Sequence, residues 1–277
     1  MSIRIEDVAV SIVLYQTDAE ELSLCLGDLE RCGIRQVYLI DNSPTDELKR
    51  FARKHQKIVV EYIHMEKNVG YGAAHNVALR KSMSLRREFH LVLNSDVRIP
   101  SADALQKIVA FMDENPHVGL LTPRMEYPDG RLQYNVKMLP APIDLIFRRF
   151  LPKGVAKSRN EKYQLEFWNH HSTVNVPYHQ GSFMFLRVSV LYKVGIFDER
   201  FFMYPEDIDL TRRIHRVSET LYWPKVTVVH AHRAESYKNV RMMWIHAWNM
   251  IKYFTKWGWV FDSERRRFNR RLIKSLQ

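Results

Sequence analysis

The chain alternates short, fully apolar runs with stretches of helical period. Val8-Ala-Val-Ser-Ile-Val-Leu-Tyr15 is the first such run, and its branched aliphatic content predicts a buried strand. Asp18 is placed to cap a following helix that ends near Gly33. Gln36 to Asp41 predicts a second strand that closes on Asp41-Asn-Ser-Pro, a turn with a carboxylate at the strand's C-terminal edge. A helix over roughly Thr45–His55 and a third strand from Ile58 to Ile63 come next. Lys67-Asn-Val-Gly-Tyr-Gly-Ala-Ala-His-Asn76 then leads into a helix reaching about Met83. Phe89-His-Leu-Val-Leu-Asn-Ser-Asp-Val97 reads as the central strand and its exit, covered on both faces. Ser101 is expected to cap a helix to Glu114, and Val118 to Thr122 to form a short strand.

Strands alternating with helices through short connections imply an α/β fold, with a largely parallel sheet and helices on both faces. The second half changes character. Tyr127-Pro-Asp-Gly-Arg131 is a turn, as of a hairpin. Pro140 to about Thr173 is basic, aromatic and poorly periodic, and is expected to be a mobile or partly helical insertion. Val174 to Val188 returns to strand, interrupted at Gln180-Gly181. Glu206 to Val217 reads as helix, Thr220–Trp223 and Thr227–His230 as strands, and Val240 to about Trp257 as a long helix.

Composition narrows the setting. The 277 residues are 46% hydrophobic, ordinary for a globular chain of one large domain or two small ones. Cys25 and Cys32 fall in one predicted helix, roughly two turns (about 10 Å) apart and too far to bridge. They are expected to be core thiols of a reducing compartment. The N-terminus has no apolar signal segment and no apolar run is long enough to span a bilayer, so a cytoplasmic protein is expected, at most peripheral on the inner face of the cell membrane. The net charge of +11 calls for nucleic acid, an anionic membrane or a diphosphate substrate. The basic residues are not interleaved with aromatics as a stacking platform, which argues against nucleic acid. Instead they cluster at Arg148–Lys162 and at Arg265–Lys274. The second cluster, beside Trp257, Trp259 and Phe261, suits a helix lying on an anionic membrane surface, although a solvated basic tail has the same composition.

Several polar groups fall where open α/β sheets bind ligands, beyond the strand ends. Asp96, just past the central strand, is the candidate for holding a divalent cation against the diphosphate of a sugar nucleotide; a mere turn before Pro100 is the bland alternative. Asp41 could accept a hydrogen bond from a base or ribose, and Gly70-Tyr-Gly72 could let a phosphate approach a helix N-terminus, without matching either standard glycine-rich phosphate motif. Pro205-Glu206-Asp207-Ile-Asp209 starts a helix with acids in its first turn, favourable there by roughly 0.3–1 kcal/mol on dipole grounds alone. The apolar Phe201-Phe-Met-Tyr204 ahead of it predicts burial, which raises a carboxylate's pKa and makes it a better base. His230 and His232 follow a strand on the same side and could complete a metal site. His246 and Asn249 share a face of the last long helix, with Trp244, Trp248 and Tyr253 expected to be mostly core.

Taken in order, these pieces resemble glycosyltransferase family 2, inverting enzymes of the GT-A (Rossmann-like) fold. The resemblance is carried by Ser11-Ile-Val-Leu-Tyr15, Asp41-Asn-Ser43, Lys67 to Asn76, Leu93-Asn-Ser-Asp96, Gln180-Gly-Ser-Phe-Met184, Phe197-Asp-Glu-Arg-Phe-Phe202, Glu206-Asp-Ile-Asp-Leu210 and His230. It is similar above all to the rhamnosyltransferase-like subgroup of bacterial surface polysaccharide synthesis. The resemblance implies a Mg²⁺ or Mn²⁺ cofactor held by Asp96 and His230, with Asp207 as the general base. It assigns Tyr15, Asp41, Asn68, Gly70, Asn76, Asn94, Ser95, Gly181, Ser182 and Glu206 to the donor site. Residues 1–257 would form one domain, 1–122 its nucleotide-binding half and 123–257 its acceptor-binding half, with 258–277 a basic amphipathic tail. Asn94 replaces the first Asp of the family's DXD motif, which removes a charge from the metal site. The implied partners are a nucleotide sugar, foremost dTDP-rhamnose or else a UDP-hexose or UDP-galactofuranose, and a glycan acceptor, lipid-linked in view of the basic segments. The processive synthases' QxxRW motif is missing, so one sugar per encounter is expected. A glycoside hydrolase would also need two carboxylates but not the nucleotide-type half, and an inactive member that scaffolds polysaccharide assembly is the remaining alternative.

Overall fold

The computed structural model describes residues 3–52, 57–144, 153–231 and 240–277. β1 (Ala9–Leu14), β2 (Gln36–Asp41), β3 (Val59–His64) and β4 (Phe89–Leu93) pair in parallel in the order β3-β2-β1-β4. The helices between them are α1 (Ala19–Arg31), α2 (Lys49–Ala52) and α3 (Tyr71–Ser84). Asp18 caps α1 as expected, its carboxylate accepting from the N–H groups of Glu20 and Glu21. The α/β expectation holds for this half.

The next part departs from a purely parallel sheet. After β5 (Val97–Arg98), α4 (Ala104–Glu114) and β6 (Val118–Glu126) come β7 (Val136–Lys137), α5 (Lys153–Tyr163), β8 (Val174–Asn175), β9 (Tyr178–His179) and β10 (Phe183–Arg187). β10 runs antiparallel between β4 and β6, placing Phe183 opposite Leu93 and Leu186 opposite Leu120. α6 (Val188–Val194) and α7 (Pro205–His215) lead to β11 (Glu219–His230), parallel to β6 and antiparallel to β5. Strand direction depends on where the chain returns, which a local apolar pattern does not encode.

Alternation along the strands divides the core into two layers. Val10, Ile12, Leu91, Leu93, Phe183 and Phe185 pack with α1 and α4 through Leu22, Leu26, Leu105 and Ile108. Val92, Leu120, Met184 and Leu186 face the other way, onto Leu79, Leu191, Leu210 and Ile214.

Several boundaries move for identifiable reasons. α2 starts at Lys49 rather than Thr45, because Ser43 N–H turns back onto the Asp41 carboxylate; the expected end at His55 lies outside the described residues. Ser101 does not cap α4: its hydroxyl donates to the Asp103 carboxylate, and the helix begins at Ala104. β6 continues through Pro123 to Glu126, since β10 pairs with it only at Leu120 and Leu121 and leaves an edge beyond. The two strands expected before His230 are one, with a register shift between Trp223 and Thr227. The basic insertion is partly helical, one of the two expected alternatives: α5 occupies part of it, and Tyr163, Leu165 and Trp168 are buried.

Two helices close the chain, α8 (Val240–Trp257) and α9 (Ser263–Ser275). In α8 Tyr253 is core, but Trp244 and Trp248 are 68% and 61% exposed, contrary to expectation. The expected tail is a docked helix. Phe268 and Leu272 of α9 are buried, and the Asn269 amide both accepts from Leu139 N–H and donates to Leu139 O. Buried Arg212 of α7 grips Asp262 through two bonds of 2.7 and 2.6 Å, with its guanidinium 4.1 Å from the Trp257 ring. Among the described residues no helix is long and apolar enough to cross a membrane.

Candidate active site

The C-terminal ends of β1, β2 and β4 and the N-terminal end of β10 meet along one rim of the sheet. Asn94, Ser95 and Asp96 leave β4 there. Val97 pairs with His230, and Ala231 N–H donates to Asp96 O at 3.1 Å, so the β5–β11 ladder brings residues far apart in sequence side by side. His230 Nε2 lies 3.2 Å from Asp96 Oδ1, and His230 Nδ1 lies 2.6 Å from Gln133 Oε1. The bond to Gln133 fixes the orientation of the His230 ring and turns Nε2 toward the Asp96 carboxylate. Imidazole and carboxylate form a donor set that fits a divalent ion. Among the described residues no group of three or more His, Cys, Asp or Glu is placed to hold a metal, so such an ion would take its remaining ligands from substrate or water. His232 lies outside the described residues.

The acids of α7 are buried, as the apolar run ahead of them predicted: Glu206 is 3% exposed and Asp207 8%. Gly181 N–H donates to Asp207 Oδ2 at 3.0 Å and Ile208 N–H to Oδ1 at 2.7 Å. Burial pushes the Asp207 carboxyl up to about 7, against those two N–H groups and the nearby Lys137 ammonium, which pull it down. Glu206 is raised well above the usual carboxylate range, first by burial and then by the charge of Asp207. Its Oε2 is buried with no hydrogen-bond partner among the described residues. The pair therefore carries less than its formal charge at neutrality.

Tyr71 joins the two corners. Its hydroxyl lies 2.8 Å from both Asn94 Oδ1 and Gly181 O, and Asn94 N–H donates to Ser182 O at 2.9 Å. Burial and the charges of Glu206, Asp207 and Asp96 hold its phenol well above the ordinary value, so it remains a donor. Gly70 precedes it with φ +93°; a Cβ there would sit 2.3 Å from Phe202 O, so only glycine fits against that carbonyl.

The remaining candidates divide. Tyr15 is exposed at the end of β1. Asp41 is buried with both oxygens engaged, Oδ2 by the Tyr62 hydroxyl at 2.5 Å and Oδ1 by Ser43 N–H at 2.8 Å. Asn68 Oδ1 accepts from Gly70 N–H, the Ser95 hydroxyl donates to Glu21 Oε1, and the Ser182 hydroxyl faces Met125 Sδ at 3.6 Å. Asn76 is fully buried, donates to Phe197 O and Glu199 Oε1 and accepts from Phe197 N–H, so its amide clamps the Phe197-Asp-Glu-Arg turn onto α3. Sequence reasoning passed over Gln133, Lys137 and Tyr71. Tyr71 stood inside a quoted motif, whereas Gln133 and Lys137 reach the site only through the return of the chain after the Tyr127–Arg131 turn, which carries no local signal.

The signature described as Glycosyl transferase family 2 matches residues 22–195. The chain is 28% identical over 215 residues to the low-salt glycan biosynthesis hexosyltransferase Agl10 of Haloferax volcanii, covering 76% of this chain and 62% of that protein. It is 27% identical over 213 residues to an N-acetylglucosaminyl-diphospho-decaprenol L-rhamnosyltransferase of Mycobacterium tuberculosis, covering 72% of this chain and 67% of that one. In fold it is similar to the mannosyltransferase PcManGT of Pyrobaculum calidifontis, solved with GDP-Man and Mn²⁺, at a TM-score of 0.59 and 19% identity over 90% of this chain and 63% of that one. The chain thus spans less than two thirds of the length of the first and last of these. The architecture is that of a GT-A-like α/β fold, and the signature takes in well over half of the sequence: the chain belongs to glycosyl transferase family 2.

Proposed function

We propose that this protein is an inverting glycosyltransferase that moves one sugar from a nucleotide-sugar donor to a hydroxyl of a glycan acceptor. The observation that carries the reading is the unbroken path of contacts from the strand-end triplet to the buried acid: Asn94 to Tyr71, Tyr71 to Gly181, Gly181 to Asp207. Asp96 and His230 would hold Mg²⁺ or Mn²⁺, whose positive charge, when bound, stabilises the departing diphosphate. Asp207 takes the proton of the acceptor hydroxyl, and burial gives it a pKa near neutrality, where a carboxylate is a competent base. The acceptor oxygen bonds to the anomeric carbon as the bond to the diphosphate breaks on the opposite face, inverting the configuration. Glu206, held neutral, spares the donor's diphosphate a further negative neighbour. Tyr15, Asp41, Asn68 and Gly70 are assigned to the nucleotide side, and Asn94, Gly181 and Ser182 to the sugar side.

For the donor we favour dTDP-rhamnose, with a UDP-hexose or UDP-galactofuranose as the alternative. The support is that one relative is described as an L-rhamnosyltransferase and another as a hexosyltransferase. The name of the former also supports a lipid-diphosphate-linked acceptor. The test is turnover of a panel of nucleotide sugars with Mn²⁺ and a lipid-diphosphate glycan, with the anomeric configuration of the product read by NMR. Asp207→Asn abolishes transfer while donor binding survives. Loss of both would make Asp207 structural, and absence of turnover with every donor would leave a scaffold.

A further inference from the structure

The docking of α9 changes which groups could meet a membrane. Its apolar residues Phe268 and Leu272 are buried in the protein, so the helix has no greasy face to lay on a bilayer. The segment before it does the opposite: Trp259, Val260 and Phe261 are three consecutive apolar residues, 45%, 62% and 89% exposed.

This projection is held in place. Gly258 N–H donates to Phe254 O at 2.8 Å and Gly258 adopts φ +104°; a Cβ there would lie 2.9 Å from Phe261 O. The Trp259 ring packs 5.4 Å from that of Phe254, and Asp262 is locked into Arg212. The turn therefore presents Val260 and Phe261 outward from a fixed base, where burial in the protein would have been the favourable course.

Basic groups of α9 flank it. Arg266 donates to Val260 O at 3.2 Å, and Phe261 lines one shallow groove together with Arg266, Arg267, Arg270 and Arg271. The two acids of this segment are engaged within the fold: Asp262, which also lines the groove, binds Arg212, and Glu264 binds Arg212 and Arg216 and stands 4.0 Å from Arg267. An apolar tip flanked by a face of four arginines is complementary to a surface that is anionic outside and hydrocarbon beneath.

We propose that the Trp259–Phe261 turn and the arginine face of α9 form a docking surface for an anionic lipid bilayer, with Phe261 entering the acyl boundary and the arginines contacting headgroup phosphates. The test reads partition onto vesicles and so does not depend on turnover. Full-length protein is sedimented with vesicles of phosphatidylcholine alone and of phosphatidylcholine mixed with phosphatidylglycerol. Binding is expected only to the mixed vesicles and falls as salt is raised. Phe261→Ser and the double variant Arg266→Glu/Arg270→Glu each lower the partition by about tenfold or more. Thermal unfolding of Phe261→Ser matches the parent, since that ring supports nothing in the fold. Equal binding to both vesicle types, no binding to either, or binding that survives both variants overturns the proposal. So does capture by heparin or RNA as tight as by vesicles and indifferent to Phe261, which would make the surface a site for soluble polyanions.

Discussion

The Tyr71 hydroxyl lies at the same distance, 2.8 Å, from Asn94 Oδ1 and from Gly181 O. One phenolic proton thus serves both the residue in the donor triplet and the loop that donates to Asp207. Tyr71→Phe keeps the ring against His75, at 4.4 Å between centroids, and so keeps the fold. It removes a hydrogen bond worth ~1 kcal/mol, and kcat/KM is expected to fall about fivefold. Steady-state kinetics together with a melting curve check this; unchanged kinetics would reduce the hydroxyl to a packing group.

With Asp207 as the proposed base, the buried acid is expected to set the pH profile. With the Asp207 carboxyl pushed up to about 7, the base form appears only as pH rises through neutrality, so kcat/KM climbs from pH 6 to 8 and then levels. Lys137 pulls that value down, and Lys137→Met shifts the rising limb to higher pH. The same raised pKa makes the acid form the one the fold prefers. Its stabilising contribution is complete below the unfolded carboxylate value of about 4 and is lost as pH rises through about 7. A profile rate-limited by a group other than Asp207 would not move with Lys137.

Chelation is expected to abolish transfer. The imidazole at 3.2 Å from Asp96 favours Mn²⁺ over Mg²⁺, the harder and more reluctantly dehydrated ion. Because Gln133 fixes the orientation of His230, Gln133→Ala weakens Mn²⁺ binding in the presence of nucleoside diphosphate by about tenfold or more. Calorimetry measures this directly, and equal affinity in the variant would separate Gln133 from the metal.

Asp262 tests how the last helix is held. Asp262→Asn leaves the buried Arg212 charge with Glu264 as its remaining carboxylate, and a loss of about 1.5–3 kcal/mol is expected in denaturant unfolding. Burial works to raise the Asp262 carboxyl, but the bonds from Arg212 and Arg265 prevail and hold it below the usual range. Its contribution is therefore present above about pH 4 and lost as pH falls through the depressed value, so variant and parent converge in acid.

The strands that proved easiest to read were those buried on both faces, β1, β2 and β4, because a continuous apolar run has few other uses. β10 has an equally apolar sequence, yet its direction follows from a return path across the whole insertion. α9 looked like a free tail because Phe268 and Leu272 are sparse among arginines, and the arginine that anchors it stands on α7, fifty residues from Asp262. At the rim, the strand-end and helix-start positions of Asp96, His230 and Asp207 were legible from the local pattern, and the Asp96–His230 approach follows from the β5–β11 ladder. The structural use of Asn76 was not legible, since a polar residue that ties two backbone segments together has the same composition as one that binds a ligand.

The antiparallel course of β10 has an architectural consequence. Phe183 enters the sheet opposite Leu93, so the end of one strand and the start of another are stitched together at a fixed seam. Between Arg98 and Tyr178 the chain departs from that seam and returns to it, laying β6 down beside β10 on the way. A change confined to the loops of that excursion would leave the seam, and the Asn94–Ser182 bond beside it, in place.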